Sequence, residues 1–232
     1  MIELTWDSNF FGKKIGRIDV ADDCIGLVKE LEKAFKQQYD LIYVFGDKNT
    51  DIPSNILTRF NGKLVDRKIT YTAQIEGLRT KSTVEIKEFD NPDSNLLYDL
   101  AYLSGNHSRF RLDKGLGIEN FQRLYREWID KSVSYQIAKK VFVYEDKQQI
   151  KGMVTLGVKE QSANIGLIAV DETLQGKGVG MSLIDACVQY CKAENIITLD
   201  VPTQLDNIQA CRFYERCGFT EKSVQNIYHF WA

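Results

Sequence analysis

Three glycines within six residues, Gln175-Gly176-Lys177-Gly178-Val179-Gly180, constrain the fold of this chain more than any other stretch. An apolar run over residues 165–170 precedes them and an amphipathic segment follows them. This order predicts a strand, a glycine turn and a helix. A helix that begins at glycines leaves several backbone N–H groups uncovered at the positive end of its dipole. The sequence therefore predicts an anion-binding site at residues 175–180.

Composition describes a globular chain and argues against two classes of partner. Of the 232 residues, 44% are hydrophobic and 27% are charged, which is enough apolar material for a sizeable core. The formal net charge of −2 argues against nucleic acid, because such partners require a basic surface. No apolar run reaches the roughly 20 residues of a membrane span, and the first residues carry neither a basic region nor an apolar signal core. We therefore expect a cytoplasmic protein that does not insert into membranes.

The cysteines show no pattern that is typical of a metal site. They are Cys24, Cys187, Cys191, Cys211 and Cys217, and no two of them form a CxxC pair. Because the chain has only two histidines, we expect no metal. We interpret the cysteines as reduced, mostly buried thiols, and no histidine can be paired with Cys211 to make it a nucleophile.

The first 77 residues alternate between strand-like and helix-like patterns. Strand-like patterns cover residues 14–20, 41–45 and 64–75. Helical spacing predicts one helix after Asp22 or Asp23, either of which could cap it, and a shorter helix that opens at Pro53. This order predicts a small α/β domain over residues 1–77, and a polar linker follows it over residues 77–83.

A second set of elements occupies residues 84–232. Strand-like patterns cover residues 84–89, 135–144, 150–158, 163–170, 196–201 and 219–231, and helical patterns begin near Asn91, Glu119, Gly180 and Asn207. Short connections join the three strands before the glycine loop, so we expect these strands to run antiparallel. The polar stretch 104–111 predicts either a solvated loop or, because it carries arginines, an anion-binding loop.

Three kinds of glycine-rich phosphate loop differ in their spacing. A Walker loop requires GxxxxGK followed by Ser or Thr, and the chain contains none. A Rossmann fingerprint requires GxGxxG, but the third glycine of that pattern falls on Met181. The pattern that remains is Gln-x-x-Gly-x-Gly, formed by Gln175, Gly178 and Gly180, and by itself it could also be an ordinary glycine turn.

A second stretch, downstream of the loop, gives this pattern a meaning. It reads Asn207-Ile208-Gln209-Ala210-Cys211-Arg212-Phe213-Tyr214-Glu215-Arg216-Cys217-Gly218-Phe219. Together with the glycine loop it closely resembles the GNAT superfamily of acetyl-CoA-dependent N-acetyltransferases, and the order of elements over residues 84–232 matches as well. The resemblance implies an α/β (α+β) GNAT fold with a central mixed, mostly antiparallel sheet, preceded here by the small truncated N-terminal domain.

The resemblance also implies the roles of individual residues in binding acetyl-CoA, the co-substrate. Main-chain groups of Leu167, Ile168 and Val170 would hold the pantetheine arm. Residues Gln175, Gly176, Lys177, Gly178, Val179 and Gly180 would wrap the pyrophosphate. Asn207 would contact the pantetheine arm, although it could equally cap a helix.

Tyr214 corresponds to the tyrosine that the family places near the sulfur, where it would act as general acid. The mechanism implied is direct attack of a neutral amine on the thioester, with a main-chain N–H near Ile168 stabilising the oxyanion. Alternatively Tyr214 is a core residue of an amphipathic helix. The general base stays open between His107, Glu172, Asp200 and a chain of waters.

Weaker signals concern the acceptor amine. Leu4-Thr5-Trp6 with Phe10-Phe11-Gly12, and later Ser108 to Arg111, look like the TDP-fucosamine acetyltransferases, which N-acetylate a nucleotide-linked 4-amino-4,6-dideoxy sugar. That resemblance suggests a homodimer. Arg109 and Arg111 could bind the diphosphate, and Trp6, Phe10 or Phe11 could stack on thymine or sugar. The same residues could instead be surface arginines and core aromatics.

Two other functions are compatible with these residues. The same fold could acetylate another amine, such as a protein N-terminus, a polyamine or an antibiotic. Alternatively, the chain could be a catalytically silent acyl-CoA-binding module that regulates a partner, although Tyr214 argues against silence.

Overall fold

The computed structural model describes residues 1–21 and 24–232, so the expected cap residues Asp22 and Asp23 lie outside the described residues. Its strands are β1 (Ile2–Glu3), β2 (Ile15–Asp19), β3 (Leu41–Asp47), β4 (Gly62–Gln74), β5 (Lys87–Glu88), β6 (Lys140–Asp146), β7 (Gln149–Lys159), β8 (Ser162–Val170), β9 (Thr198–Gln204) and β10 (Thr220–Trp231). Its α-helices are α1 (Thr5–Phe11), α2 (Leu27–Lys36), α3 (Ser54–Arg59), α4 (Tyr98–Ser104), α5 (Arg109–Leu112), α6 (Ile118–Val133), α7 (Val179–Ala193) and α8 (Ile208–Cys217).

All described strands join one sheet in the order β1-β2-β3-β10-β4-β9-β8-β7-β6-β5. The pairs β2–β3 and β8–β9 are parallel, and the other neighbours are antiparallel. The expected mixed, mostly antiparallel sheet is therefore confirmed, including the antiparallel run β6-β7-β8 before the glycine loop.

Alternation along the strands sends side chains into separate cores. On β4, Ile69, Tyr71 and Ala73 pack into a cluster with α7 and α8. Tyr43 of β3 packs instead into an aromatic-rich cluster with α4, α5 and α6. A third cluster packs α2 against the alternate residues of β3, among them Val44. Because successive side chains of a strand point to opposite faces of the sheet, the helices that pack against them lie in separate layers.

The sheet runs across the boundary that the sequence suggests at residues 77–84. The last strand of the chain, β10, lies between β3 and β4, so it pairs on both edges with strands of the first 77 residues. The polar linker is fixed in place: the Thr80 hydroxyl donates to Asp185 at 2.7 Å, and the Thr83 backbone N–H donates to the Ser182 hydroxyl at 3.0 Å. The division into two domains stays a prediction, and the structure adds that both parts share one hydrogen-bonded sheet.

Three local expectations were wrong in extent. Only Lys87–Glu88 of residues 84–89 forms a strand, because this segment pairs with the outer edge of β6 for two residues. The strand expected from residue 135 begins at Lys140, because Tyr135 adopts a φ of 59° and the following residues complete the exit from α6. The polar stretch 104–111 ends in the short helix α5 and is not entirely loop.

A buried carboxylate joins the segment after α5 to the end of the chain. Asp113 accepts hydrogen bonds from Nδ1 of His229 and, at 3.1 Å, from Nε1 of Trp231. Burial lowers the pKa of His229 to about 4, so its ring is neutral near pH 7 and Nδ1 can carry the proton that it donates. Gly115 is required beside this contact, since a Cβ there would lie 2.6 Å from the Trp231 ring.

We expect Asp113→Ala to lower the free energy of unfolding by about 2–3 kcal/mol, because it leaves two buried or half-buried donors without an acceptor. Urea denaturation at pH 7 measures this change. Asp90→Ala, at an exposed carboxylate, is the matched control and should change the midpoint little. Equal midpoints for the two variants would show that the contact contributes nothing to stability.

Candidate functional site

The parallel strands β8 and β9 separate soon after they meet. They pair only between Ser162–Asn164 and Thr198–Asp200, whereas β8 continues to Val170 and β9 to Gln204. Beyond Asn164 the edge of β8 that faces β9 is therefore free of strand pairing. The result is an opening, lined by main-chain N–H and C=O groups, between two strands of the sheet.

A bulge in β8 lies beside this opening. The register with β7 shifts between Val154, opposite Ile168, and Leu156, opposite Ile165. Thr155 faces the extra residue, and its hydroxyl accepts the Leu167 N–H at 2.8 Å. Leu167 then packs towards α4 and α6, whereas Ile168 and Val170 pack on the side of α7. These side chains pack in the two cores, and only the main chain of these residues borders the opening.

The glycine loop lies at the end of β8 and leads directly into α7. Gly176 and Gly178 have φ angles of 77° and 86°, which residues other than glycine rarely adopt. Gly178 is the N-cap residue and offers no side chain to the first-turn N–H groups of α7. The loop therefore presents uncapped donors and the positive end of a 15-residue helix, as the sequence predicts.

Side chains around the loop connect it to α8. Gln175 donates from Nε2 to the Val170 carbonyl at 3.2 Å and accepts from Gln209 at 3.0 Å. Lys177 is exposed, whereas Val179 is buried, and a Cβ on Gly180 would lie 3.3 Å from the Phe213 ring. The close approach at Gly180 brings the first turn of α7 against Phe213 of α8.

Asn207 and Tyr214 both lie on α8. Asn207 is the N-cap residue, and its side-chain oxygen accepts the Ala210 N–H at 3.1 Å. Tyr214 is buried, with its ring 5.9 Å from that of Tyr71 and 5.8 Å from that of Phe219. Burial raises the pKa of the Tyr214 phenol far above its usual range, so the hydroxyl keeps its proton at neutral pH.

Of the residues expected near the acceptor, Phe10 and Phe11 belong to the aromatic-rich core. Phe11 is buried between Phe10, in edge contact at 5.0 Å, and Phe110, stacked at 6.0 Å. Trp6 is 45% exposed and stacks on Phe10 at 5.0 Å. Of the five expected residues, Phe11 is thus the one that is fully enclosed, and Trp6 is the most accessible aromatic.

The two arginines of α5 point in different directions. The Arg109 guanidinium lies 4.3 Å from the Phe110 ring centroid and 5.3 Å from that of Tyr43, and its Nε is buried. Arg111 is exposed and lies 5.7 Å from the Phe121 ring. The structure therefore does not bring the two guanidinium groups to one position.

The residues considered as bases occupy different environments. His107 and Glu172 are exposed. Asp200 is paired with Lys222 at 2.5 Å and accepts the Thr72 hydroxyl at 2.6 Å. Within the described residues no cluster of three or more His, Cys, Asp or Glu side chains could hold a metal ion.

Two charged residues of β4, Asp66 and Lys68, were not among the residues expected at the site. Burial raises the pKa of Asp66 to about 6, and burial, reinforced by the Arg109 charge, lowers the pKa of Lys68. Their signal in the sequence is alternation: Asp66 and Lys68 are out of phase with the apolar residues Ile69 and Tyr71 that follow them, so they lie on the opposite face of the strand.

The described residues include no helix that is long and apolar enough to cross a bilayer. The cysteines at 24, 187, 191, 211 and 217 are all buried. Burial raises the pKa of Cys191 and Cys217 to about 11, which makes these two thiols poor nucleophiles at neutral pH.

Comparison with known sequences identifies relatives over different lengths of the chain. The Acetyltransferase (GNAT) family profile matches residues 113–219. The spore coat polysaccharide biosynthesis protein SpsD of Bacillus subtilis is 23% identical over 97% of this chain and 81% of its own length. The dTDP-fucosamine acetyltransferase of Escherichia coli is 23% identical over 95% of this chain and 93% of its own length. A streptothricin acetyltransferase of Escherichia coli is 34% identical over 32% of this chain and 42% of its own length.

Solved structures support the same fold. A conserved protein of unknown function from Staphylococcus epidermidis superposes with a TM-score of 0.65 at 14% identity, over 88% of this chain and 79% of its own. A GCN5-related N-acetyltransferase from Sphaerobacter thermophilus superposes with a TM-score of 0.59 at 12% identity, over 93% of this chain and 73% of its own. The structural neighbours show the fold, and the family profile shows that the chain contains a GNAT acetyltransferase domain over residues 113–219.

Proposed function

We propose that the chain transfers the acetyl group of acetyl-CoA to the amino group of a TDP-linked 4-amino-4,6-dideoxy sugar, in surface polysaccharide synthesis. The observation that carries this proposal is the similarity to a dTDP-fucosamine acetyltransferase over 95% of this chain and 93% of that protein. The polysaccharide biosynthesis protein of Bacillus subtilis, which matches over 97% of the chain, supports the same class of acceptor. We place the reaction in the cytoplasm and propose that the enzyme is a homodimer.

Acetyl-CoA fits the opening and the glycine loop. Its pantetheine arm carries amide groups that can pair with the free main-chain edge of β8 at Leu167, Ile168 and Val170. Its pyrophosphate can accept hydrogen bonds from N–H groups of residues 175–180 at the start of α7. Asn207 uses its oxygen to cap α8, so its side-chain NH₂ is the group that would contact the pantetheine.

The proposed reaction needs one acid and one base. The neutral amine attacks the thioester carbon, a C–N bond forms, and the C–S bond breaks as the tetrahedral intermediate collapses. Tyr214 gives its proton to the departing thiolate, and the ammonium proton of the product passes to a base. Because the Leu167 N–H is already bonded to Thr155, a neighbouring N–H such as that of Ile168 is the proposed oxyanion donor.

A panel of amines tests the function. The protein is incubated with acetyl-CoA and TDP-4-amino-4,6-dideoxy sugars, peptides, polyamines or streptothricin, and free thiol is followed. We expect thiol release only with the TDP-amino sugars. Turnover with peptides or polyamines instead would refute the proposed acceptor. Turnover with streptothricin would favour the antibiotic class, to which the 34% identical relative belongs by name. Tight acetyl-CoA binding without thiol release for any amine would favour a silent binding module.

We expect Tyr214→Phe to lower kcat about 100-fold or more, because the thiolate then departs without a proton donor. The Kd for acetyl-CoA should change little, since the ring and its packing against Tyr71 and Phe219 remain. Steady-state kinetics and equilibrium titration with acetyl-CoA separate the two effects. An unchanged kcat would remove Tyr214 from the mechanism.

A pair of substitutions at Gly176 tests the pyrophosphate site. A Cβ at this position would meet no atom within 4 Å, and Asn and Asp tolerate positive φ angles better than most residues. Gly176→Asn controls for backbone strain, whereas Gly176→Asp adds one negative charge of nearly the same shape. We expect the KM for acetyl-CoA to be about three- to tenfold higher in the Asp variant, and the difference to shrink at high salt. Equal KM values would place the pyrophosphate elsewhere.

A further inference from the structure

Four buried polar atoms, one on α5 and three on the strands beneath it, have no hydrogen-bond partner among the described residues. They are Oη of Tyr43, Oδ1 of Asp66, Nε of Arg109 and Nε2 of His229. Buried polar atoms are nearly always paired, because an unpaired donor or acceptor costs about 1–3 kcal/mol. Several such atoms within one neighbourhood therefore require an explanation.

The four residues face one another. Tyr43 on β3 and His229 on β10 stack with ring centroids 4.5 Å apart, and the Arg109 guanidinium lies 5.3 Å from the Tyr43 ring. The charge of Arg109 lowers the pKa of Asp66 against the effect of burial, which places the guanidinium within electrostatic reach of that carboxylate. The adjacent strands β3, β10 and β4 thus lie beneath α5. We call Tyr43, Asp66, Lys68, Arg109 and His229 the polar chamber.

The charges of the polar chamber are not neutralised by direct contact. Within the described residues, Asp66, Lys68 and Arg109 make no ion pair within 4.0 Å. Asp66 is 6% exposed, so its charge is held away from water. Buried charges without close partners are costly, and a ligand that pairs with them recovers that free energy.

The polar chamber lies on the side of the sheet opposite α7 and α8. Ile69 and Tyr71 of β4 pack towards Tyr214, so the alternate residues Asp66 and Lys68 face the other way. Lys68 pairs with Gln204 of β9, whose other edge borders the opening between β8 and β9. A ligand in the chamber would therefore lie one strand away from the opening, on the face that acetyl-CoA does not cover.

We propose that the polar chamber binds the acceptor as a nucleoside diphosphate sugar, with Arg109 and Lys68 holding the diphosphate. Asp66 accepts from, and Tyr43 donates to, polar groups of the sugar. This inference rests on the proposed function and selects among the expected residues: Arg109 faces the chamber, whereas Arg111 lies on the exposed side of α5. Guanidinium and ammonium groups suit phosphate oxygens through charge-assisted hydrogen bonds.

A binding experiment tests the polar chamber without requiring turnover. Coenzyme A at saturation fills the pyrophosphate site, and thymidine diphosphate is then titrated into the protein by calorimetry. We expect Arg109→Gln and Lys68→Gln each to raise the Kd for thymidine diphosphate about tenfold or more. Arg59→Gln, at an exposed arginine of α3 paired with Glu32, is the matched control and should leave it unchanged.

Two further measurements make the result decisive. The Kd for coenzyme A should match that of the wild type in every variant, and the urea midpoint should not fall, which shows that the donor site and the fold are intact. Inorganic pyrophosphate serves as a second probe, and we expect it to bind at least tenfold more weakly than thymidine diphosphate. No binding of thymidine diphosphate to the wild type, equal binding to all variants, or equal affinity for pyrophosphate would each overturn the proposal.

Turnover separates this proposal from the proposed function. If the wild type binds thymidine diphosphate through Arg109 and Lys68 but acetylates no TDP-amino sugar, the proposed function fails and the nucleotide site stands. If the wild type acetylates the sugar and Arg109→Gln keeps the same KM for it, the polar chamber is refuted and the proposed function stands. We expect the KM for the sugar to rise in both variants while the KM for acetyl-CoA stays constant.

Discussion

The separation of β8 from β9 is the constraint on which the site depends. Parallel strands normally pair along their shared length, and here pairing stops after three residues on each strand. The bulge opposite Thr155 helps to direct β8 away, and Gly166 permits it, because a Cβ there would lie 2.8 Å from the Thr155 hydroxyl. The same hydroxyl accepts the displaced Leu167 N–H, so the distortion leaves no donor unpaired at that residue.

The second constraint is the position of the last strand. β10 lies between β3 and β4, and it therefore joins the first and last parts of the chain within one sheet. His229 on this strand stacks on Tyr43 of β3 and is bonded to Asp113, which follows α5. The placement of α5, and of Arg109 within it, consequently depends on the end of the chain. The proposed acceptor site beneath α5 would thus be assembled from segments that are far apart in sequence.

The sequence predicted the elements around the glycine loop well and the surroundings of the charged side chains poorly, for a physical reason. A strand, a glycine loop and a helix are contiguous, so the pattern of residues 165–180 is enough to predict their geometry, and Asn207 as a helix cap followed from its position alone. Asp66 and Lys68 became visible only when Ile69 and Tyr71 of β4 were seen to pack on one face, with Asp66 buried on the other. Which of two arginines on a short helix points inward likewise depends on tertiary packing.

The two sides of the site also differ in what binds the ligand. On the proposed donor side the binding groups would be main-chain groups and a helix terminus, which tolerate changes of side chain as long as the glycines remain. On the proposed acceptor side they would be individual charged side chains, so a single substitution would change the ligand that fits. The family profile covers residues 113–219, which contain the whole glycine loop but none of β3, β4, β10 or Arg109. A match to this profile therefore includes the proposed donor site, whereas the strands and the helix that form the proposed acceptor site lie outside it.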